Sequence, residues 1–258
     1  MQNRTLAIVA LFVAAALLGG CANSNYTWGW YIVSPFDARG QTHIQFLLSG
    51  IGFTIAVALS AITISVIVGL LVALPAISRI RALRAASRLY VEIFRSIPML
   101  VMVLWVYYGV PVLFDVRMGV FVAGVVALAL CDSAFEAEIF RAGIQSIDHG
   151  QHEAADALGL GYIDKMRYVI LPQAIRRVLP PLGNQFVYML KASSLLSVIG
   201  LTELTRRANE LVVNEYRPLE IYTFLILEYL VLILIASWLV RRLERRMAAS
   251  DRLRVVKA

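Results

Sequence analysis

The sequence has only two cysteines and three histidines in 258 residues. Cys21 and Cys131 stand far apart in different apolar contexts, so neither a disulfide framework nor a metal-ligand spacing can be read from them. HExxH, a Ser/His/Asp set and a paired Cys/His are all missing, which leaves a membrane-embedded enzyme without its chemistry. No catalytic residue and no metal ligand is expected. His43, His149 and His152 fall in polar segments and read as solvated. There is no GxxxxGK[ST] loop, so the chain should hold no nucleotide and no cofactor of its own. Charge is scarce as well: Asp, Glu, Lys and Arg make up 16% of the chain, with none between Ile44 and Ser78. Against these absences, 60% of the residues are hydrophobic and the mean hydropathy is +0.74. A soluble core could not hide that much apolar surface, so an integral membrane protein is implied. A net charge of +7 would suit nucleic acid. The positive residues cluster at the ends of apolar runs, however, which is the mark of membrane topology, and no nucleic-acid partner is expected.

Residues 1–21 combine Arg4, an apolar run from Leu6 to Leu18, and Gly19-Gly20-Cys21. This has the form of a secretory signal peptide, and the last four residues are similar to a lipobox with Cys21 as the lipidation candidate. An uncleaved anchor helix is the alternative. Residues 22–45 then form an outer segment whose Tyr26, Trp28, Trp30 and Tyr31 suit a membrane interface. Five spans are expected at about 44–78, 96–114, 118–140, 180–201 and 221–240, each near the ~20 residues a bilayer requires or longer. Pro98 should kink the second span or open it. Arg79, Arg81, Arg84 and Arg88 make a short basic loop between the first two spans, residues 202–219 make a polar outer loop, and 247–258 form a basic tail. Of 24 Lys and Arg, only Arg39, Arg117, Arg206, Arg207 and Arg217 fall outside, so the alternation closes with the C-terminus cytoplasmic.

The third and fourth spans are joined by a long polar stretch, about 141–177. Within it Glu153-Ala154-Ala155 is followed by Gly159, Val169 and then Leu171-Pro172. The segment is rich in helix formers, with Gly159 or Gly161 placed for a left-handed cap. A helix of about two turns is therefore expected, with Glu153 near its positive end, small Ala154 and Ala155 open to a partner's groove, and Leu171-Pro172 stopping the next helix. This spacing resembles the EAA loop of ABC-transporter membrane subunits, departing only in Val169 for Ile. Tyr90-Val91-Glu92-Ile93-Phe94-Arg95-Ser96-Ile97-Pro98, Ala137-Glu138-Ile139-Phe140-Arg141-Ala142-Gly143-Ile144 and Lys191-Ala192-Ser193-Ser194-Leu195 are similar to stretches of the polar amino-acid uptake permeases, in the same order. The resemblance covers about residues 46–246. It implies an all-α integral membrane fold, a five-helix ABC importer permease core preceded here by the N-terminal apolar segment. It also implies the partners: a cytoplasmic ATPase dimer binding ATP and Mg, a second permease subunit, a periplasmic solute-binding protein, and membrane lipid. Glu153, Ala154, Ala155, Gly159, Leu171 and Pro172 would then make the ATPase-coupling site.

Asp132, Glu136, Glu138, Lys191 and Glu228 fall within or at the edge of spans, where ionisable groups are expensive and face a cavity or a partner. Asp132 lies about 21 Å below the outer end of its helix and shares a face with Glu136 at i+4. One reading puts Asp132, Glu136, Glu228 and Lys191 along the path of an amino acid. The other pairs the acids with Lys191 or Arg141 to hold helices together. Glu138 with Arg141, and Glu92 with Arg95, read as structural or gating ion pairs. The function expected is a permease of an ATP-driven importer working by alternating access. An ion-gradient-driven transporter or channel is the alternative, and it leaves the EAA-like loop without a purpose.

Overall fold

A computed structural model describes residues 26–255 apart from Arg79, with side chains described as far as residue 245. The signal-like stretch and Cys21 lie outside the described residues. Among the described residues all regular secondary structure is helical.

Helix α1 (Ala38–Leu48) starts where Asp37 accepts hydrogen bonds from the backbone N–H of Arg39, at 2.8 Å, and of Gly40. Such a cap is worth about 1 kcal/mol. It continues through helical Ser49 and Gly50 into α2 (Ile51–Ala76). Together they run for 39 residues, well beyond a ~30 Å hydrocarbon core. Along α2, Thr54, Ala58, Ala61, Ser65, Gly69 and Ala73 are buried at helical spacing. This stripe of small residues lets α2 lie against α5 (Val120–Gln145), the most extensive helix pairing in the molecule. A Cβ on Gly69 would stand 2.5 Å from the Glu136 Cβ, so only glycine permits this approach.

The stretch read as a basic loop is instead α3 (Arg81–Ser96), a strongly amphipathic helix. Ser87 and Val91 are its buried face, the Ser87 hydroxyl donating to the Val72 carbonyl at 2.8 Å. Ile97 takes the extended backbone that a following proline imposes, and α4 (Met99–Phe114) leaves at 96° to α3. The break is therefore sharper than a kink.

α5 ends at Gln145, and the connecting stretch holds a short helix, α6 (His149–Ala157). The next helix, α7 (Tyr162–Ile199), opens with a π-helical turn, Lys165–Ile170. Leu171-Pro172 does not stop it. Pro172 sits in the first turn of the α-helical part, where a missing N–H is tolerated, and the helix runs on through Pro180-Pro181 to Ala192. The fourth span thus has no break at Pro180, and its last turns tighten to a 3-10 helix over Ser193–Ile199.

Residues 202–219 are also more ordered than a loop. Glu203 caps α8 (Leu204–Glu215), accepting from Thr205 N at 2.9 Å and Arg206 N at 2.7 Å. The long α9 (Pro218–Val255) follows and continues into the segment read as a tail. Near its start Glu220 accepts from Gly29 N at 2.5 Å and from the Tyr26 hydroxyl, tying residues 26–33 to α9. The bond to Glu220 raises the Tyr26 phenol above its ordinary value, so the phenol keeps the proton it donates to Glu220 through neutral pH.

Three of these helices are long and apolar enough to cross a membrane: Ala38–Ala76, Val120–Gln145 and Pro218–Arg245. The number rises to five if each bent pair, α3 with α4 and α7 with α8, counts as one span. α5 is the central span, the most buried of the three.

Candidate functional site

The first constellation is α6 and its supports. Asp148 caps its N-terminus through Gly150 N at 2.7 Å. At the other end Gly159, with φ +73°, donates to Asp156 O at 3.0 Å while Leu160 N donates to Ala155 O at 3.1 Å. That pair of bonds is a Schellman cap, and it needs the left-handed conformation glycine adopts freely. Lys165 reaches back to Asp156 at 2.7 Å, Gln173 joins Gln151 at 3.0 Å, and Arg177 donates to the Ser146 carbonyl. A small core of Ile147, Ile170 and Ala174 closes beneath. The short helix is thus fixed to the ends of α5 and α7.

Glu153 and Ala154 face outward. Ala155 does not: it is buried, so its small side chain serves the packing of α6 on its own chain rather than a partner's groove. The outward surface is completed by residues that the spacing motif did not single out, Leu158 (78% exposed), Tyr162 (72%) and Ile163 (76%). Leu171 is partly exposed beside them, and Pro172 shapes the start of the helix behind.

The second constellation lies inside. Asp132 and Glu136 point from α5 toward α2, opposite Ser65 and Gly69 respectively. The Ser65 hydroxyl donates to Asp132 at 2.6 Å, and Gln185 of α7 donates to its other oxygen. Asp132 therefore bridges three helices. Ser65 and Gln185 went unread in the sequence, although each is a polar residue in an apolar run. Glu136 is fully buried and Glu228 on α9 nearly so, and among the described residues none of their carboxylate oxygens has a hydrogen-bond partner. Lys191 does not join them. It is exposed, makes no ion pair among the described residues, and lines a cleft of about 440 Å³ with Ser194, Ile226, Tyr229, Leu230 and Ile233. Glu228 sits on the opposite side of α9, in the buried stripe of Ile221, Leu225 and Ala236. Pairing of Lys191 with the acids is thus not realised.

The third group gathers where α3 meets the end of α5. Arg141 grips Glu138 through two bonds, at 3.0 and 2.9 Å, and Arg95 approaches the same carboxylate at 3.9 Å. Arg95 also stands 5.1 Å over the Phe135 ring. Glu92 makes no ion pair with Arg95; it faces the cavity these residues share.

A family model described as "Binding-protein-dependent transport system inner membrane component" matches residues 65–249. The glutamine transport system permease protein GlnP of Escherichia coli (strain K12) is 38% identical over 205 residues, covering 79% of this chain and 94% of that protein. The arginine transport system permease protein ArtQ of Bacillus subtilis (strain 168) is 36% identical over 208 residues, 81% of this chain and 95% of that protein. Among solved structures, an amino acid ABC transporter crystallised with histidines superposes with a TM-score of 0.78 at 40% identity, over 86% of this chain and 100% of that one. The MetNI methionine ABC transporter, at 21% identity, shares the fold with a TM-score of 0.69 over 80% of this chain and 98% of that one.

Proposed function

Because this chain belongs to the binding-protein-dependent transport system inner membrane components, we propose that α6 is the lever by which a separate ATPase drives it. The chain is the membrane-spanning permease subunit of an ATP-driven importer, a multi-pass protein of the inner membrane that works with an ATPase and a solute-binding protein. Its substrates are polar amino acids or close derivatives, the class named for its glutamine and arginine relatives. The observation that carries the lever is the rigidity of α6. It offers Glu153, Ala154 and Leu158 to the exterior while being capped and bonded to the ends of two long helices. A force applied to that surface reaches α5 and α7 with little slack. Gly159, Leu171 and Pro172 hold the shape, and Ala155 seats it. ATP and Mg are bound by the partner ATPase dimer, and no catalytic site lies on this chain. A second permease subunit supplies the other lever, and the C-terminus is cytoplasmic.

Within the membrane, Asp132 is held ready by Ser65 and Gln185, while Glu136 and Glu228 have no hydrogen-bond partner among the described residues. A carboxylate withdrawn from water without a partner costs several kcal/mol, so an amino-acid ammonium passing in one state of the cycle is the group these acids suit. Lys191 suits the substrate carboxylate from its own cleft. Substrate moves the cycle only by binding its states unequally. Glu138–Arg141 and Arg95 brace the end of α5. A gradient-driven transporter gives the exposed face of α6 nothing to do. In proteoliposomes containing the chain, its ATPase and its binding protein, uptake of glutamine or arginine should require ATP hydrolysis; uptake persisting with a hydrolysis-dead ATPase overturns the reading.

A further inference from the structure

α3 meets α4 at 96° and packs beside the ends of α2 and α5, the end of the bundle from which the chain leads into α6. It carries arginine at 81, 84, 88 and 95, and its Leu83, Leu89 and Ile93 are exposed. A helix of this kind belongs at a membrane surface. In the corner between α3 and the ends of α2 and α5 is a cavity of about 430 Å³, lined by Arg84, Arg88, Arg95, Arg141, Glu92 and Glu138. Ala76 and Gln145, the last residues of α2 and α5, also line it and place it at the level where the spans end.

Arg141 is committed to Glu138 and Arg84 donates to the Ser78 carbonyl at 2.8 Å, while Arg88 and Arg95 are held less closely. Arg95 reaches Glu138 only at 3.9 Å, and the Arg88 Nε donates to the Arg84 carbonyl at 3.4 Å, with no carboxylate paired to Arg88 among the described residues. The lining holds four guanidinium groups and two carboxylates, so cationic groups outnumber anionic ones along it. An adjoining cleft of about 380 Å³ shares Val91, Glu92 and Arg95 and ends on Phe135, giving apolar surface beside the charged one.

We propose that this cavity binds the phosphate of an acidic phospholipid headgroup from the inner leaflet. Guanidinium forks match phosphate oxygens, the volume falls within the ~300–1,000 Å³ of ligand sites, and the exposed apolar residues of α3 lie where acyl chains begin. The excess positive charge selects an anionic headgroup over a zwitterionic one. The inner-leaflet placement rests on α6 being cytoplasmic.

The test is native mass spectrometry of the detergent-purified complete transporter, offered equimolar phosphatidylglycerol and phosphatidylcholine of matched chains. Wild type should retain phosphatidylglycerol preferentially. Arg88→Gln should lower that preference about fivefold, the effect of one cation beside an anionic surface, and Arg117→Gln, at the other end of the spans, should leave it unchanged. Equal retention of the two lipids by wild type overturns the proposal, as does a preference that Arg88→Gln does not move. Displacement of the lipid by millimolar inorganic phosphate overturns the lipid assignment in favour of a free-anion site. If Arg88→Gln fails to assemble, the wild-type lipid comparison and the phosphate competition still decide. Retention is read without transport, so its failure leaves ATP-driven uptake standing, and the converse also holds.

Discussion

Asp132 and Glu136 sit one turn apart on the same face of α5, yet removing them should have opposite effects on stability. Asp132 receives hydrogen bonds from Ser65 and Gln185. Asp132→Ala leaves both donors unserved and should destabilise the protein by about 1–3 kcal/mol. Glu136 is as deeply buried but receives none. Glu136→Met keeps the volume and removes two unserved oxygens, so it should stabilise by about 1–3 kcal/mol while uptake falls. Thermal unfolding of the purified complex, read alongside uptake, checks the pair; a Glu136→Met variant that unfolds earlier would mean that the carboxylate is supported within the fold. The sequence showed that these two acids share a face, because a four-residue interval on a helix requires it. It did not show which was satisfied, since Ser65 and Gln185 come from helices 67 and 53 positions away in the chain.

At the scale of the element, α6 was legible and α3 was not. The interval from Glu153 to Gly159 announces a short helix with a glycine end, and the structure closes that end with Gly159 at φ +73°. Gly159→Val forces a β-branched residue into left-handed backbone at about 1–2 kcal/mol and should loosen α6 from α7. ATP hydrolysis in the complex is then expected to continue while uptake falls, and tight coupling in that variant would count against the lever. Leu158→Asp tests the outward face instead. With Leu158 78% exposed, stability should change by less than about 0.5 kcal/mol, while co-purification with the ATPase is lost. Spacing alone could not tell that Ala155 faces its own chain, because the partner of a helix face depends on where the rest of the chain folds. α3 and α8 read as loops on charge density, although Arg81, Arg84 and Arg88 recur at helical intervals. What makes them helices is tertiary: burial of Ser87 and Val91 for α3, and a buried capping carboxylate, Glu203, for α8.

For the whole molecule, the decisive quantity is which side each end of the bundle faces. α9 has 38 residues, about 57 Å of helix against a ~30 Å hydrocarbon core, so one end must project well beyond the bilayer. Its far end carries arginines, and α3 and α6 lie where α2 and α5 end. Charge bias and the coupling proposed for α6 call for one orientation: α3, α6 and the end of α9 inside, α8 and the Trp28–Trp30 stack outside. Single cysteines can read this directly, because Cys131 is buried and inert. In a Cys21→Ala background, a membrane-impermeant maleimide applied to intact spheroplasts should label Asn214→Cys on α8 and spare Leu158→Cys on α6; inverted vesicles should give the reverse. Labelling of Leu158→Cys from outside would place the exposed face of α6 where no cytoplasmic ATPase could reach it. A drive through α6 would then be physically impossible, however well its residues match the pattern.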